Sequence, residues 1–353
     1  MSPLTPSEHV PRTRLLPAIL LCLLSACGGG PAKSGTEAAE KPILRLGYFP
    51  NITHATALNL IEDSELSTEI RNVATVESKV FNAGPAAIES ILSGALDATY
   101  IGPNPAINAF IKSKGAAVRI VSGATSGGAF LIVKPEINSA RDLKGKKVAS
   151  PQRGNTQDVA LRSWLASQGL KTDLEGGGDV SILPQENAQT LETFRDGQLS
   201  GAWVPEPWAT RLILEGQGKV LVDERDLWPE GRYVTTHLLV RTDYLRQHPD
   251  VIEALLSAHV KAPDFVNNEM ATAQKQANAA IGKVTGKELS DEVITKAWSN
   301  LVFTNDPIAS SLVASAAAAK KLGLLESNGL DGLYDLRLLN KVLGAAGKEP
   351  VSE

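Results

Sequence analysis

Four short polar stretches stand where a strand-like run gives way to a helix: Asn51-Ile52-Thr53-His54, Phe81-Asn82-Ala83-Gly84-Pro85, Gly102-Pro103-Asn104 and Gly154-Asn155-Thr156-Gln157. A helix N-terminus offers unsatisfied N–H groups and roughly half a positive charge, so several converging on one cleft hold an oxyanion without any Lys or Arg. Asn51, Thr53, His54, Gly84, Asn104, Asn155 and Thr156 are therefore candidate ligand residues. Each also reads as an ordinary cap. Their coincidence at strand C-terminal ends, where ligands of open α/β sheets bind, is what supports the functional reading.

Three further groups could act on a ligand. In Ser126-Gly127-Gly128 the glycines lack side chains, so backbone amides could approach a bound group closely. In Pro205-Glu206-Pro207-Trp208 two prolines frame a polar residue, and Trp208 follows. Trp208 can stack on an apolar portion, and Glu206 can accept from an amine or a ring nitrogen. An unpaired carboxylate beside a bound sulfonate would repel it, so either Glu206 faces away or the ligand carries a donor. His54 and His237 read as packed residues or neutral donors. The five histidines show no metal-ligand spacing, so neither a metal nor any other cofactor is expected.

Catalytic signatures are missing. Gly176-Gly177-Gly178 has no following Lys-Ser or Lys-Thr, and neither Gly-x-Ser-x-Gly nor Gly-x-Gly-x-x-Gly occurs. Composition points the same way. The 353 residues are 43% hydrophobic and 21% charged, ordinary for a globular protein of about two domains. A net charge of −4 and a pI near 5.9 offer no broad basic surface for nucleic acid.

The N-terminus reads as a secretory signal: Arg12 and Arg14 precede the apolar run Leu15 to Leu24, too short for the roughly 20 residues that span a bilayer. Leu24-Ser25-Ala26-Cys27 resembles the bacterial lipobox, which implies diacylglycerol on Cys27 as the mature N-terminus. Cleavage removes Cys22, and the loss of Glu8, Arg12 and Arg14, together +1, turns the net charge from −4 to −5. Residues 27–42 then form a solvated tether.

The elements that position these candidates follow an internal repeat at a constant offset of 103. Glu89 to Ala106 aligns without a gap on Glu192 to Ala209, and Thr53, Ala57 and Leu58 align on Thr156, Ala160 and Leu161. Each copy reads as strand, loop, helix, then a second helix, strand and helix. Pro85 sits at a helix start, and Ile88, Ile91, Leu92 and Ala95 mark one buried face. The alternation predicts an α/β fold in two similar lobes, each a mainly parallel sheet flanked by helices. Phe130–Val133 and His237–Val240 read as crossover strands. They divide the chain into lobe one, 43–131 plus 241–345, and lobe two, 132–240, with most of 249–322 helical.

At Leu44-Arg45-Leu46-Gly47-Tyr48, Gly84-Pro85, Ser93-Gly94-Ala95-Leu96-Asp97 and Asp142-Leu143-Lys144-Gly145-Lys146-Lys147-Val148, the chain resembles the type II extracytoplasmic solute-binding proteins of ABC importers. Within them it resembles the aliphatic sulfonate, taurine and nitrate group, over roughly residues 43 to 325. The resemblance implies a monomeric two-lobed clamp that closes on a small anion and presents it to a membrane permease and its ATPase. It also puts most weight on Asn155 and Thr156, because the family's matching loop supplies hydroxyl and amide donors. Aliphatic sulfonate is the leading ligand, with nitrate, bicarbonate, taurine, an aminopyrimidine or a non-transport sensing role as alternatives. Pyrimidine synthases of similar fold carry a cysteine-rich motif that the mature chain, with Cys27 alone, cannot supply.

Overall fold

The computed structural model describes residues 40–353; the signal segment, Cys27 and most of the tether lie outside the described residues. Lys41–Glu353 forms one compact unit. Its first half runs β1 (Ile43–Tyr48), a 3-10 turn (Ile52–His54), α1 (Ala55–Glu62), α2 (Thr68–Val73), β2 (Thr75–Val80), α3 (Gly84–Leu92), β3 (Ala98–Ile101), α4 (Pro103–Lys112), β4 (Val118–Gly127) and β5 (Ala129–Val133). Next come β6 (Lys147–Ser150), α5 (Thr156–Ser167), β7 (Ser181–Pro184), α6 (Asn187–Arg195), β8 (Gly201–Pro205), α7 (Trp208–Leu214) and β9 (Lys219–Asp223). The chain ends with β10 (Val234–Arg241), α8 (Thr242–Gln247), α9 (Pro249–Asn268), α10 (Met270–Thr285), α11 (Asp291–Trp298), β11 (Leu301–Phe303), α12 (Ala309–Lys321) and α13 (Arg337–Ala345).

These strands make two sheets, ordered β11-β4-β10-β3-β1-β2 and β7-β6-β8-β5-β9. In the first, β1 pairs in parallel with β2 and β3 while β10 runs antiparallel between β3 and β4. The second repeats the plan, with β6 parallel to β7 and β8, and β5 antiparallel between β8 and β9. Both sheets are thus mixed, where the alternation of elements had suggested mainly parallel ones.

The lobe boundaries also differ from those read in the sequence. Strand β5 lies wholly in the second sheet and β10 wholly in the first, so neither crosses. The chain crosses at Gly128 and again between Asp223 and Val234. Gly127 and Gly128 have φ of +81° and +73°, a left-handed corner that side chains rarely adopt, and a Cβ on Gly128 would lie 2.1 Å from Leu301 Cδ2.

Both faces of the second sheet are covered, which explains its continuous apolar strands. Leu131, Val133, Val148 and Trp203 pack on one side against Leu161 and Leu165 of α5. Phe130, Ile132, Ala202 and Val204 pack on the other against Leu191 and Phe194 of α6. The alternation along β5 and β8 is the period of two that a strand imposes. Each fully buried Leu or Phe contributes about 1.5–3 kcal/mol. The first lobe has one larger core on which α9 to α13 close, α13 by Leu339, Val342 and Leu343.

Candidate functional site

Helix starts from both lobes meet in a chamber between the sheets. Its wall is formed by Phe49, Asn51, Thr53 and His54 before α1, Asn82 to Gly84 before α3, Gly102 and Pro105 at α4, Pro151 and Asn155 to Gln157 at α5, Asn187 at α6, Pro205, and Thr235 and Thr236 of β10. Five helical N-terminal ends therefore converge there: the 3-10 turn, α3, α4, α5 and α6. No charged side chain lines the wall, so the aligned backbone dipoles dominate the local field and favour an anion.

The repeat makes this arrangement. Helix α3 spans Gly84–Leu92 and α6 spans Asn187–Arg195, so their starts stand 103 residues apart and face each other across the cleft. Gly84 is required for close packing, since a Cβ there would lie 2.3 Å from Pro105 Cγ. Gly102 abuts the other lobe in the same way: its Cβ would lie 2.4 Å from Thr156 Oγ1.

Several polar atoms on this wall have no partner in the fold. Thr156 Oγ1, Thr236 Oγ1 and Asn187 Oδ1 are buried and have no hydrogen-bond partner among the described residues. The two hydroxyls can donate, and the Asn187 carboxamide can present either end. Asn155 is instead committed to the fold, its Oδ1 accepting from Asp158 N–H at 2.9 Å as the cap of α5 while Nδ2 donates to Gln157 Oε1 at 3.2 Å. Beneath this loop the Asp158 carboxylate accepts from Ser150 Oγ, Gly154 N–H and Arg162 Nε, a buried network that fixes the start of α5.

His54 is neutral. Burial pushes its pKa down to about 3, and Nδ1 accepts from the Phe49 N–H at 3.4 Å, which assigns the ring proton to Nε2. It packs tilted by 32° against Phe49 with ring centres 4.4 Å apart. The chamber thus gains a further donor without a charge.

The chamber is a small cavity of about 30 Å³, on the scale of a small polyatomic head group. Asn51, Asn82 and Asn187 are shared with an adjoining cavity of about 580 Å³, where Trp208, Arg211 and Glu186 face Lys287, Leu289 and Val293. Hydrogen bonds join the lobes around it. Trp208 Nε1–H donates to Asn51 Oδ1 at 2.9 Å, and Asn82 Nδ2 donates to Glu186 Oε1 at 2.7 Å.

Of the residues named from sequence, Asn51, Thr53, His54, Gly84, Asn155 and Thr156 stand together on the chamber wall. Trp208 lines the adjoining cavity, with the Arg211 guanidinium 4.7 Å from its ring centre. The others lie elsewhere. Glu206 is buried, and its carboxylate accepts from Thr210 N–H, Thr210 Oγ1 and, across the lobes, Asn300 Nδ2 at 2.7 Å. Burial raises its pKa while those hydrogen bonds oppose the rise. It therefore caps α7 and does not face the chamber.

Asn104 lines a separate cavity of about 400 Å³ on the other flank of Thr156. Ser126 is taken up in the β4 ladder between Val234 and Val302, and the Gly127 carbonyl accepts from Thr235 Oγ1. His237 is buried in β10 with Nε2 2.9 Å from the Pro307 carbonyl, and burial lowers its pKa to about 4.

Asn187, Thr235 and Thr236 were not named from the sequence. Asn187 could have been, because the repeat maps Gly84 onto it. Nothing in the composition of β10 singles out the two threonines. Among the described residues no cluster of metal-ligating side chains occurs and no helix is long and apolar enough to cross a membrane.

Comparison with known proteins places this geometry. A "putative binding protein" of Brucella abortus is 24% identical over 269 residues, covering 73% of this chain and 80% of its own. The taurine-binding periplasmic protein of Escherichia coli is 26% identical over 216 residues, 60% of this chain and 65% of its own. The alkanesulfonate-binding protein SsuA from Xanthomonas axonopodis pv. citri, solved bound to MOPS, superposes with a TM-score of 0.67 at 21% identity, covering 83% of this chain and 97% of that one. That likeness shows the two-lobed type II periplasmic-binding-protein fold. Residues 37–281 match the NMT1-like family, and the chain belongs to that family of extracytoplasmic solute-binding proteins.

Proposed function

We propose that this protein captures a small oxyanion-bearing solute, an aliphatic sulfonate first of all, by closing its two lobes, and delivers it to an ABC permease and its ATPase without chemical change. The observation that carries this reading is the chamber itself: five helix N-terminal ends and buried Thr156 and Thr236 hydroxyls, with no charged side chain on the wall. An ammonium there would need a carboxylate on the wall, and none lines it; dipoles and hydroxyls suit an oxyanion whose charge is spread over several oxygens. The adjoining 580 Å³ cavity supports an anion with an organic tail over a bare inorganic one, with Trp208 as a flat apolar wall.

A second reading is an aminosulfonate of the taurine kind. Glu186, between Asn82 and Asn187 at the chamber mouth, offers an acceptor for an amine. Isothermal titration with ethanesulfonate and taurine separates the two: taurine binding more than tenfold tighter supports an amine contact, and equal or weaker binding supports the plain sulfonate. The protein works as a monomer held at the membrane by diacylglycerol on Cys27, which incorporation of labelled palmitate, lost on Cys27→Ala, tests directly.

A further inference from the structure

One cavity at the end of the first lobe away from the cleft is lined by more cations than carboxylates. Strand β4 starts there with Val118 and Arg119, β10 ends there with Arg241 opposite Val118, and β1 starts there, its Ile43 carbonyl accepting from Tyr244 Oη at 2.9 Å. Arg119, Arg246 of α8, and Arg337 and Lys341 of α13 line one cavity of about 640 Å³, and Asp335 is the sole carboxylate in its wall.

Two of these cations are already neutralised. Arg337 pairs with Asp335 at 2.7 Å and Lys341 with Glu253 at 2.7 Å. Arg246 is exposed and has no ion pair among the described residues. Arg119 is held by the carbonyls of Gly115 at 2.8 Å and Val118 at 2.6 Å, beside the Phe110 ring, with no carboxylate in hydrogen-bond reach among the described residues. Burial, and after it the like charge of Arg246, lowers the Arg119 pKa. Two guanidinium groups thus share a recess with less than one full counter-charge, an arrangement that an incoming anion relieves. Paired guanidiniums recognise phosphate oxygens bidentately.

The chain leaves the fold toward its N-terminus at this same end, through β1. The inference rests on Cys27 being the lipid anchor: fifteen residues lie between it and Ile43, so this end of the lobe is the one tied to the bilayer. We propose that the basic cavity docks on anionic phospholipid headgroups, Arg119 and Arg246 taking the headgroup phosphates, and holds the free protein with its cleft facing solvent for capture.

The test is co-sedimentation of the chain from residue 27 onward, carrying Cys27→Ala so that no lipid contributes, with vesicles of phosphatidylglycerol and phosphatidylcholine or of phosphatidylcholine alone. Binding to the anionic vesicles only, weakening as salt rises, is expected. Each basic residue near an anionic surface is worth about five-fold in affinity, so Arg246→Gln costs about that factor and Arg246→Glu more. Lys146→Glu, an equal charge change on an exposed residue of the other lobe, leaves binding unchanged. Equal partition onto both vesicles, no binding to either, the same loss in Lys146→Glu, or complete displacement by millimolar inorganic phosphate overturns the docking. Palmitate labelling decides the anchor separately, so the two readings fail in different experiments.

Discussion

Replacing Thr156 by Val should raise the stability of the ligand-free protein or leave it unchanged while weakening ligand binding at least tenfold. The hydroxyl is buried with no partner among the described residues, so the protein carries its desolvation cost, about 1–3 kcal/mol, and Val removes that cost at nearly constant shape. Thr156 is the first residue of α5 and not its cap, so the helix loses only a few tenths of a kcal/mol in propensity. A hydrogen bond to a charged acceptor is worth about 1.5–3 kcal/mol, which is roughly 10- to 150-fold in Kd. Thermal unfolding of both forms and calorimetric titration with the identified ligand measure the two signs together. Asn155→Ala cannot serve, because it removes the α5 cap and costs about 1 kcal/mol of stability by itself. Unchanged affinity in Thr156→Val, or equal loss of stability and affinity, would refute the placement of the ligand against this hydroxyl.

Four other outcomes follow from the geometry. Gly102→Ala puts a methyl 2.4 Å from Thr156 Oγ1 and should oppose lobe closure, weakening binding while small-angle scattering shows less contraction on adding ligand than the unaltered protein; equal contraction and unchanged affinity contradict it. Glu206→Gln should leave ligand selectivity unaltered, because the carboxylate caps α7 and holds Asn300; a switch from amine-bearing to plain anions in a thermal-shift panel would place Glu206 at the ligand. Burial lowers His54 to about 3, and His237 and His259 to about 4, so as pH falls below about 6.5 the unfolded chain takes up protons that the folded one refuses and stability declines; Glu224, raised by burial to about 7, opposes this with one proton in the other direction. Denaturant unfolding should therefore show stability falling between pH 6.5 and 5, less steeply than the three histidines alone would give because buried Glu206 opposes them together with Glu224, and Glu224→Gln should steepen the fall.

Much of the site was legible because it rests on a repeat. The offset of 103 aligns α3 with α6 and β3 with β8, and it places Thr53 and Thr156 in one register. The same offset leads from Gly84 to Asn187. Where reading failed, the deciding contact was distant in sequence. Phe130–Val133 and His237–Val240 are apolar runs that suit either sheet, and only the corner at Gly128 and the route from Glu224 to Tyr233 decide which one each joins. Strand β4 hides in Val-Arg-Ile-Val-Ser-Gly-Ala-Thr-Ser-Gly because its glycines serve neighbours: a Cβ on Gly123 would lie 2.1 Å from the Asp306 carbonyl oxygen, 183 positions on. Strand β11 lies inside the 249–322 stretch that reads as mostly helical, and only pairing with β4 makes Leu301 to Phe303 a strand. Glu206 and Asn104 face away from the chamber for the same reason, as the partners that claim or flank them, Asn300 and α12, come from the distant C-terminal part of the chain.

The central claim, that helix N-termini and neutral donors between the lobes hold an oxyanion, is tested most directly by thermal shift of the purified protein against alkanesulfonates, taurine, nitrate and bicarbonate, with an uncharged sulfone and an alkylamine as controls. A ligand at 100 times its Kd adds about 2.7 kcal/mol. The account predicts such a rise with at least one oxyanion, sulfonates foremost, its loss in Thr156→Val, and none with either control. A shift with the sulfone or the amine and with no anion would contradict it.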